Sequence, residues 1–264
     1  MVRSDFILDS DNILRTMYQK NFEEVNLFNI PIAKLGMLDT LLAVEDAIDS
    51  NQQLNHCVVN VGEIVAMQSN DQLRKSVLAS DLINADGMAV VWASHMLGMS
   101  LPERVARVDL MENLVELSHE NGYKCFFLGA KLEVVEEVVQ RYIHKYGASV
   151  VAGYHHGYFG RKDDEKIAQM ISDSGAHILL VAMTSPLKEA FLKAHKHYLR
   201  RVNMIMDVGG SFDVVAGKEN RAPMWVENFG LEWCYPFFQE PKKMWKRYLV
   251  DNSKFILLTF KMMF

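Results

Sequence analysis

Cysteine is scarce. Cys57, Cys125 and Cys234 are the only three in 264 residues, they form no CxxC pair, and their spacing fits neither a disulfide framework nor a thiolate metal site. They read as reduced core residues of a cytosolic protein. Long hydrophobic runs are missing too: no window offers about eighteen uncharged apolar residues, so no membrane-spanning helix is expected. The first thirty residues mix Asp9, Asp11, Glu23 and Glu24 with apolar positions, which is not a signal-peptide pattern. Positive charge is not in excess, since the net charge is −5 and the pI near 6.0. That excludes a general nucleic-acid binder, which needs a basic field over its surface. There is no GxGxxG followed about twenty residues later by an acid, and no GxxxxGK[ST]. A nucleotide-dependent oxidoreductase therefore stands only as a second reading. No repeat or low-complexity segment interrupts the chain.

What is present is an α/β pattern. The composition is 50% hydrophobic and 23% charged, enough for one large core. Short apolar runs alternate about six times with amphipathic stretches, which predicts a Rossmann-like, mostly parallel sheet with helices on both faces. Expected strands are Val25–Ile32, Cys57–Val61, Asp81–Ala85, Lys124–Leu128, Ser149–Tyr154, His177–Met183 and Val202–Val208. Expected helices include Asp39–Asp49, Glu63–Ser69, Asp71–Ala79, Val108–Glu120, Leu132–Tyr146, Lys162–Ser174 and Glu189–Arg200, with a weak helical period around Asn12–Phe22. The one shift in composition is at Lys242. From there to Phe264 six basic residues face Asp251, a net +5 that leaves −10 for the remainder. This divides the chain into an α/β unit over residues 1–240 and a basic, amphipathic appendage over 241–264. Met244, Trp245, Tyr248, Leu249, Phe255, Ile256, Leu257, Leu258, Phe260 and Phe264 fit it to an anionic membrane surface. A helix docked on the core fits the same pattern.

Ligands of open α/β sheets bind at the carboxyl ends of strands, and several polar residues are expected there. Asp86 follows the strand tip Leu82–Ala85 and precedes Gly87; it suits a working carboxylate and, equally, a helix N-cap. Arg104, stiffened by Pro102, supplies a fixed positive charge for a phosphate. Asn60 ends the neighbouring strand, and a crossover would bring it to the same edge as Asp86, although a strand-end turn residue is its simpler reading. Gly129-Ala130-Lys131 can cradle a phosphate at a helix start. In Gly153–Phe159, Tyr158 suits stacking on a base or sugar, or loop packing; His155 and His156 lack a third metal ligand. Ser185, Lys188 and Glu189 form a further edge cluster. Gly209 and Gly210 permit a close backbone approach beside Asp213. Asp9-Ser10-Asp11 spells DxD but precedes any strand and reads as a helix-capping cluster.

Together these segments resemble the WecG/TagA/CpsF family of bacterial glycosyltransferases. The likeness is carried by Ala85-Asp86-Gly87 with Val90–Ala93, Leu101-Pro102-Glu103-Arg104-Val105, Asp109-Leu110-Met111, Phe127-Leu128-Gly129, Gly157-Tyr158-Phe159, Val208–Asp213, Ala216-Gly217, Arg221-Ala222-Pro223, Gly230-Leu231-Glu232-Trp233, Glu240-Pro241 and Arg247-Tyr248. The resemblance implies an inverting, metal-independent enzyme without cofactor. Such an enzyme moves a hexose-type sugar from a UDP-sugar to a polyprenyl-diphosphate-linked acceptor in surface-polysaccharide synthesis, at the inner face of the cell membrane. It further implies Asp86 as catalytic base, Arg104 and Asn60 as pocket residues, Arg247 as a substrate-binding residue, and a C-terminal appendage that completes the site at the membrane. Three positions depart from the family pattern: Val58 replaces a threonine, Lys188 a glutamine and Pro236 an arginine. A non-catalytic relative acting in binding or assembly would share the fold, and homo-oligomerisation is left open.

Overall fold

The computed structural model describes residues 22–219 and 241–263, with residues 241–250 as backbone only. Asp9-Ser10-Asp11, the Asn12 helix apart from Phe22, Arg221-Ala222-Pro223, Trp225, Trp233, Pro236 and the Arg247 side chain lie outside the described residues.

Strands that are apolar on both faces must be covered on both. The six central strands are β3 (Leu54–Val59), β4 (Leu82–Ala85), β5 (Cys125–Gly129), β6 (Val151–His155), β7 (Ile178–Ala182) and β8 (Met204–Asp207). They form one parallel sheet in the order β4-β3-β8-β7-β5-β6. Alternate side chains enter different cores, as the two-residue period of a strand requires. Cys125, Phe127, Ile178, Leu180, Met204 and Met206 join one core. Phe126, Leu128, Leu179, Val181 and Ile205 join another on the opposite face.

The first face is covered by α1 (Met37–Asp49), α5 (Arg107–Asn121), α6 (Leu132–Tyr146) and α9 (Ser211–Val215). The second is covered by α2 (Val61–Met67), α4 (Met88–Met96) and α10 (Pro241–Met263) at the β3–β4 end, and by α7 (Asp164–Asp173) and α8 (Leu187–Ala194) beyond them. Helix α3 (Asp71–Leu78) connects α2 to β4.

Two expectations are corrected. The segment expected as one strand, Val25–Ile32, is a hairpin of β1 (Glu24–Leu27) and β2 (Ile30–Ala33). Its apolar alternation slips phase between Leu27 and Ile30, where Phe28 and Asn29 both adopt positive φ, +56° and +57°, as a two-residue hairpin turn with strand-matching twist needs. Phe28 tolerates that backbone because its ring is buried against Phe255 of α10, with centroids 5.2 Å apart. The helix expected over Glu189–Arg200 runs only through Leu187–Ala194. The chain then turns, sinks Leu199 into the core, and lets the Tyr198 hydroxyl donate to Glu165 Oε1 at 2.8 Å.

Helix α10 is docked at its C-terminal half. Phe255 and Thr259 are buried and Leu258 packs on the core shared with α2 and the hairpin. Its other side leaves Ile256 (55%), Leu257 (55%) and Phe260 (50%) exposed. Among the described residues no helix is long and apolar enough to cross a membrane.

His56, in the middle of β3, is buried on the first face, where Nε2 meets Asn84 Oδ1 at 2.9 Å. Burial lowers its pKa to about 4, against the ordinary 6.5, so the folded protein holds it neutral. A group with a depressed folded pKa of this kind stabilises fully above the unfolded value and loses that contribution as pH falls through the folded one. The protein should therefore lose about 3 kcal/mol from this site alone between pH 7 and pH 4. Urea melts at both pH values should show a shallower loss for His56→Gln than for the native chain; equal losses would place the acid sensitivity elsewhere.

Candidate active site

The parallel pairing of β3 with β4, with Val59 opposite Ala85, sets Asn60 and Asp86 side by side just past the strand tips. The Asp86 N–H donates to Val59 O at 2.9 Å. Gly87, at φ +116°, occupies the N-cap of α4 and no side chain caps that helix. Gly87, not Asp86, is thus the N-cap residue, and the Asp86 side chain, one position earlier, keeps 23% exposure.

Asn60 does cap a helix. Its Oδ1 accepts from the Glu63 N–H while Glu63 Oε2 accepts from the Asn60 N–H, both at 3.0 Å, a reciprocal capping box at the start of α2. The second Glu63 oxygen, Oε1, accepts from Arg107 Nη2 at 2.8 Å. Arg107, the first residue of α5, also gives Nη2 to Val58 O at 3.3 Å and lies with Nε 3.9 Å from Asp86 Oδ2. Glycine at 209, with φ +48°, makes room for it, since a Cβ there would lie 2.5 Å from Arg107 Nη1. The close backbone approach expected at the glycine pair is therefore to Arg107. Gly210 is exposed and has open space around it.

Asp207, the last residue of β8, completes the cluster. Its Oδ2 accepts from Lys188 Nζ and its Oδ1 from the Gly209 N–H at 3.1 Å. Lys188 also lies 3.6 Å from Glu189 Oε1, which accepts from Ser76 Oγ at 3.3 Å. Lys188 is held between two carboxylates. Ser185 sits on the exposed turn before α8.

Charge sets the protonation states. Burial pushes the Asp86 carboxyl up to about 6, and Glu63 adds to that; Arg107, through its charge and its backbone N–H, and Arg104 pull it down. Burial opposes the charge of Arg107, but Glu63, Asp207 and Asp86 more than offset this and hold it protonated. Burial likewise pushes Asp207 upward, while Arg107 and Lys188 bring it below the ordinary carboxylate value. A carboxylate poised near 6 can be ionised at neutral pH and still accept a proton.

The remaining expected residues gather elsewhere on the same edge. Between β5 and β7 the connections diverge, to β6 on one side and β8 on the other, which is where such sheets open a crevice. A cavity of about 410 Å³ opens at the end of β5, lined by Ala130, Lys131, Glu133, Val134, Tyr158, Asp213 and Lys218. Tyr158 is 71% exposed at its rim. Gly129, at φ +135°, is buried with no space for a side chain, as a Cβ would lie 2.3 Å from Ala182 O. The turn from Gly209 to Asp213 links the two regions, touching Arg107 at one end and the cavity at the other.

Glu63, Arg107 and Asp207 were not singled out from sequence. Glu63 had a signal in the Asn-x-x-Glu spacing of a capping box. Asp207 had one too, being an acid at the tip of an apolar strand just as Asp86 is.

A six-stranded parallel sheet with an acid–arginine cluster and an adjoining crevice at its carboxyl edge defines an α/β protein of the ligand-binding, doubly covered kind. The chain belongs to the glycosyl transferase WecG/TagA/CpsF family, whose model matches residues 25–264. It is 33% identical over 184 residues to an N-acetylglucosaminyldiphosphoundecaprenol N-acetyl-beta-D-mannosaminyltransferase of Bacillus spizizenii, covering 70% of each chain. A protein of the same description from Bacillus subtilis is 32% identical over 183 residues, covering 69% of this chain and 70% of the relative. The protein is thus a glycosyltransferase.

Proposed function

We propose that this enzyme transfers an N-acetylmannosamine-type sugar from a UDP donor to a polyprenyl-diphosphate-linked N-acetylglucosamine, with inversion and without a metal. The observation that carries the reading is Asp86: a partly buried carboxylate at a strand tip, one residue before the α4 N-cap and pushed by burial up to about 6. It takes the proton of the acceptor hydroxyl as that oxygen attacks the anomeric carbon, which is general-base catalysis. The crevice lined by Tyr158, Lys131 and Asp213 suits the nucleotide, with the aromatic ring against the base and Lys131 near phosphate. The turn at Gly209–Asp213 leads from there to Asp86. Arg104 stands with Asp86 at the sugar end. The relatives' names supply the acetamido sugar and the lipid-linked acceptor.

The exposed apolar side of α10 suits peripheral contact with the membrane that holds such an acceptor. Among the described residues no three His, Cys, Asp or Glu side chains are grouped to hold a metal ion. The proposal accordingly gives the departing UDP charge to Arg104, Lys131 and Lys218. Transfer of labelled sugar from UDP-N-acetylmannosamine to the lipid-linked acceptor should continue in excess EDTA. Loss of transfer on chelation, restored by Mn²⁺ or Mg²⁺, would overturn the metal-independent reading.

A further inference from the structure

Two carboxylates from neighbouring segments of the sheet edge, Glu63 after β3 and Asp86 after β4, flank the Arg107 guanidinium, and Asp207 at the end of β8, bonded to Lys188, adds its charge to the same field. Neighbouring like charges repel, and a cation between them relieves that repulsion. Arg107 bonds Glu63 at 2.8 Å, stands 3.9 Å from Asp86, and is seated where Gly209 has no side chain. Its backbone N–H also favours the ionised form of the Asp86 carboxylate. Its Nε is buried with no hydrogen-bond partner among the described residues, close to Asp86 Oδ2 but beyond bonding distance. Its charge is balanced by acids, unlike that of a cation reserved for phosphate.

We infer that Arg107 is a positioning residue for the transfer reaction: seated between Glu63 and Asp86, it fixes the Asp86 carboxylate at the β4 tip with a cation beside it. This rests on the reading of Asp86 as the base. Among the described residues the charged and titratable groups around Asp86 are Glu63 on α2, Arg104 on the loop before α5 and Arg107 on α5; in the field of Arg107 are Asp207 on β8, itself tied to Lys188 on α8, and His56 on β3. Lys188 is already paired with Asp207 and cannot replace Arg107 at Asp86.

The test is the pH profile of kcat/KM in the full-length enzyme for Arg107→Gln, Arg107→Lys, Glu63→Gln and Asp86→Asn. Removing a cation that stabilises a neighbouring carboxylate raises its pKa by about one unit or more. Arg107→Gln should therefore move the acid limb up by about that much, with activity at pH 6.5 falling about threefold or more relative to the plateau and recovering near pH 9. Arg107→Lys should restore the limb's position, with a lower plateau because an ammonium lacks the planar fork. Glu63→Gln keeps the capping box and should move the limb down. Opposite shifts from Arg107 and Glu63 are not what damaged folding produces; uniform loss at every pH, or an unmoved limb in Arg107→Gln, would overturn the inference. Retained turnover and an unmoved limb in Asp86→Asn would instead remove the base reading on which it depends.

Discussion

Asp86→Asn should lower turnover by about 10²–10⁴-fold, the usual contribution of a positioned general base, with little change in donor affinity. The amide keeps the shape and much of the hydrogen bonding but cannot accept the acceptor's proton. Folding should be little disturbed, because Gly87 rather than Asp86 holds the N-cap of α4. The substitution also removes a carboxylate that burial pushes up to about 6, so the variant should melt no lower than the native enzyme near neutral pH. Rates and donor titration on the same preparation separate the two effects. Near-normal turnover in this variant would sink the mechanism and leave the family assignment standing.

The second large effect is expected on α10. Ile256, Leu257 and Phe260 are exposed, whereas Phe255, Leu258 and Thr259 on the other side hold the helix to α2 and the β1–β2 hairpin. Deleting the whole helix would uncover Phe28 and confound membrane contact with unfolding. Replacing Ile256, Leu257 and Phe260 together by Glu leaves the docked side intact. At about 1–2 kcal/mol of transfer energy per side chain, partition onto anionic vesicles should fall by at least 10²-fold. Activity on lipid-linked acceptor should fall with it, and turnover of a short water-soluble acceptor analogue should persist. Unchanged vesicle binding would assign the exposed side some other role.

Much of this arrangement could be read from residue order alone. The run of apolar strands and amphipathic helices led to a parallel sheet, and crossover geometry put Asn60 beside Asp86, as the Val59–Ala85 register bears out. The hairpin is masked by the near-continuous alternation of Val25–Ile32, in which only the phase slip at Phe28-Asn29 marks the turn. Strand order was the larger obstacle. Nothing local places β8 next to β3, so Asp207 could not be seen as a neighbour of the Asn60–Asp86 edge. Arg104 and Arg107 are three residues apart, and sequence does not say which guanidinium is enclosed by carboxylates. Side-chain partners at a sheet edge depend on which strands return beside each other, a long-range property that short motifs do not encode.

The most direct test of the central claim is a transfer assay with purified full-length enzyme, radiolabelled UDP-N-acetylmannosamine and polyprenyl-diphosphate-linked N-acetylglucosamine. The expected result is label in the lipid fraction equal to the UDP released, with the new glycosidic bond inverted relative to the donor. UDP release without lipid labelling, or retention of the donor's anomeric configuration, would contradict a direct attack by the acceptor hydroxyl with Asp86 as its base.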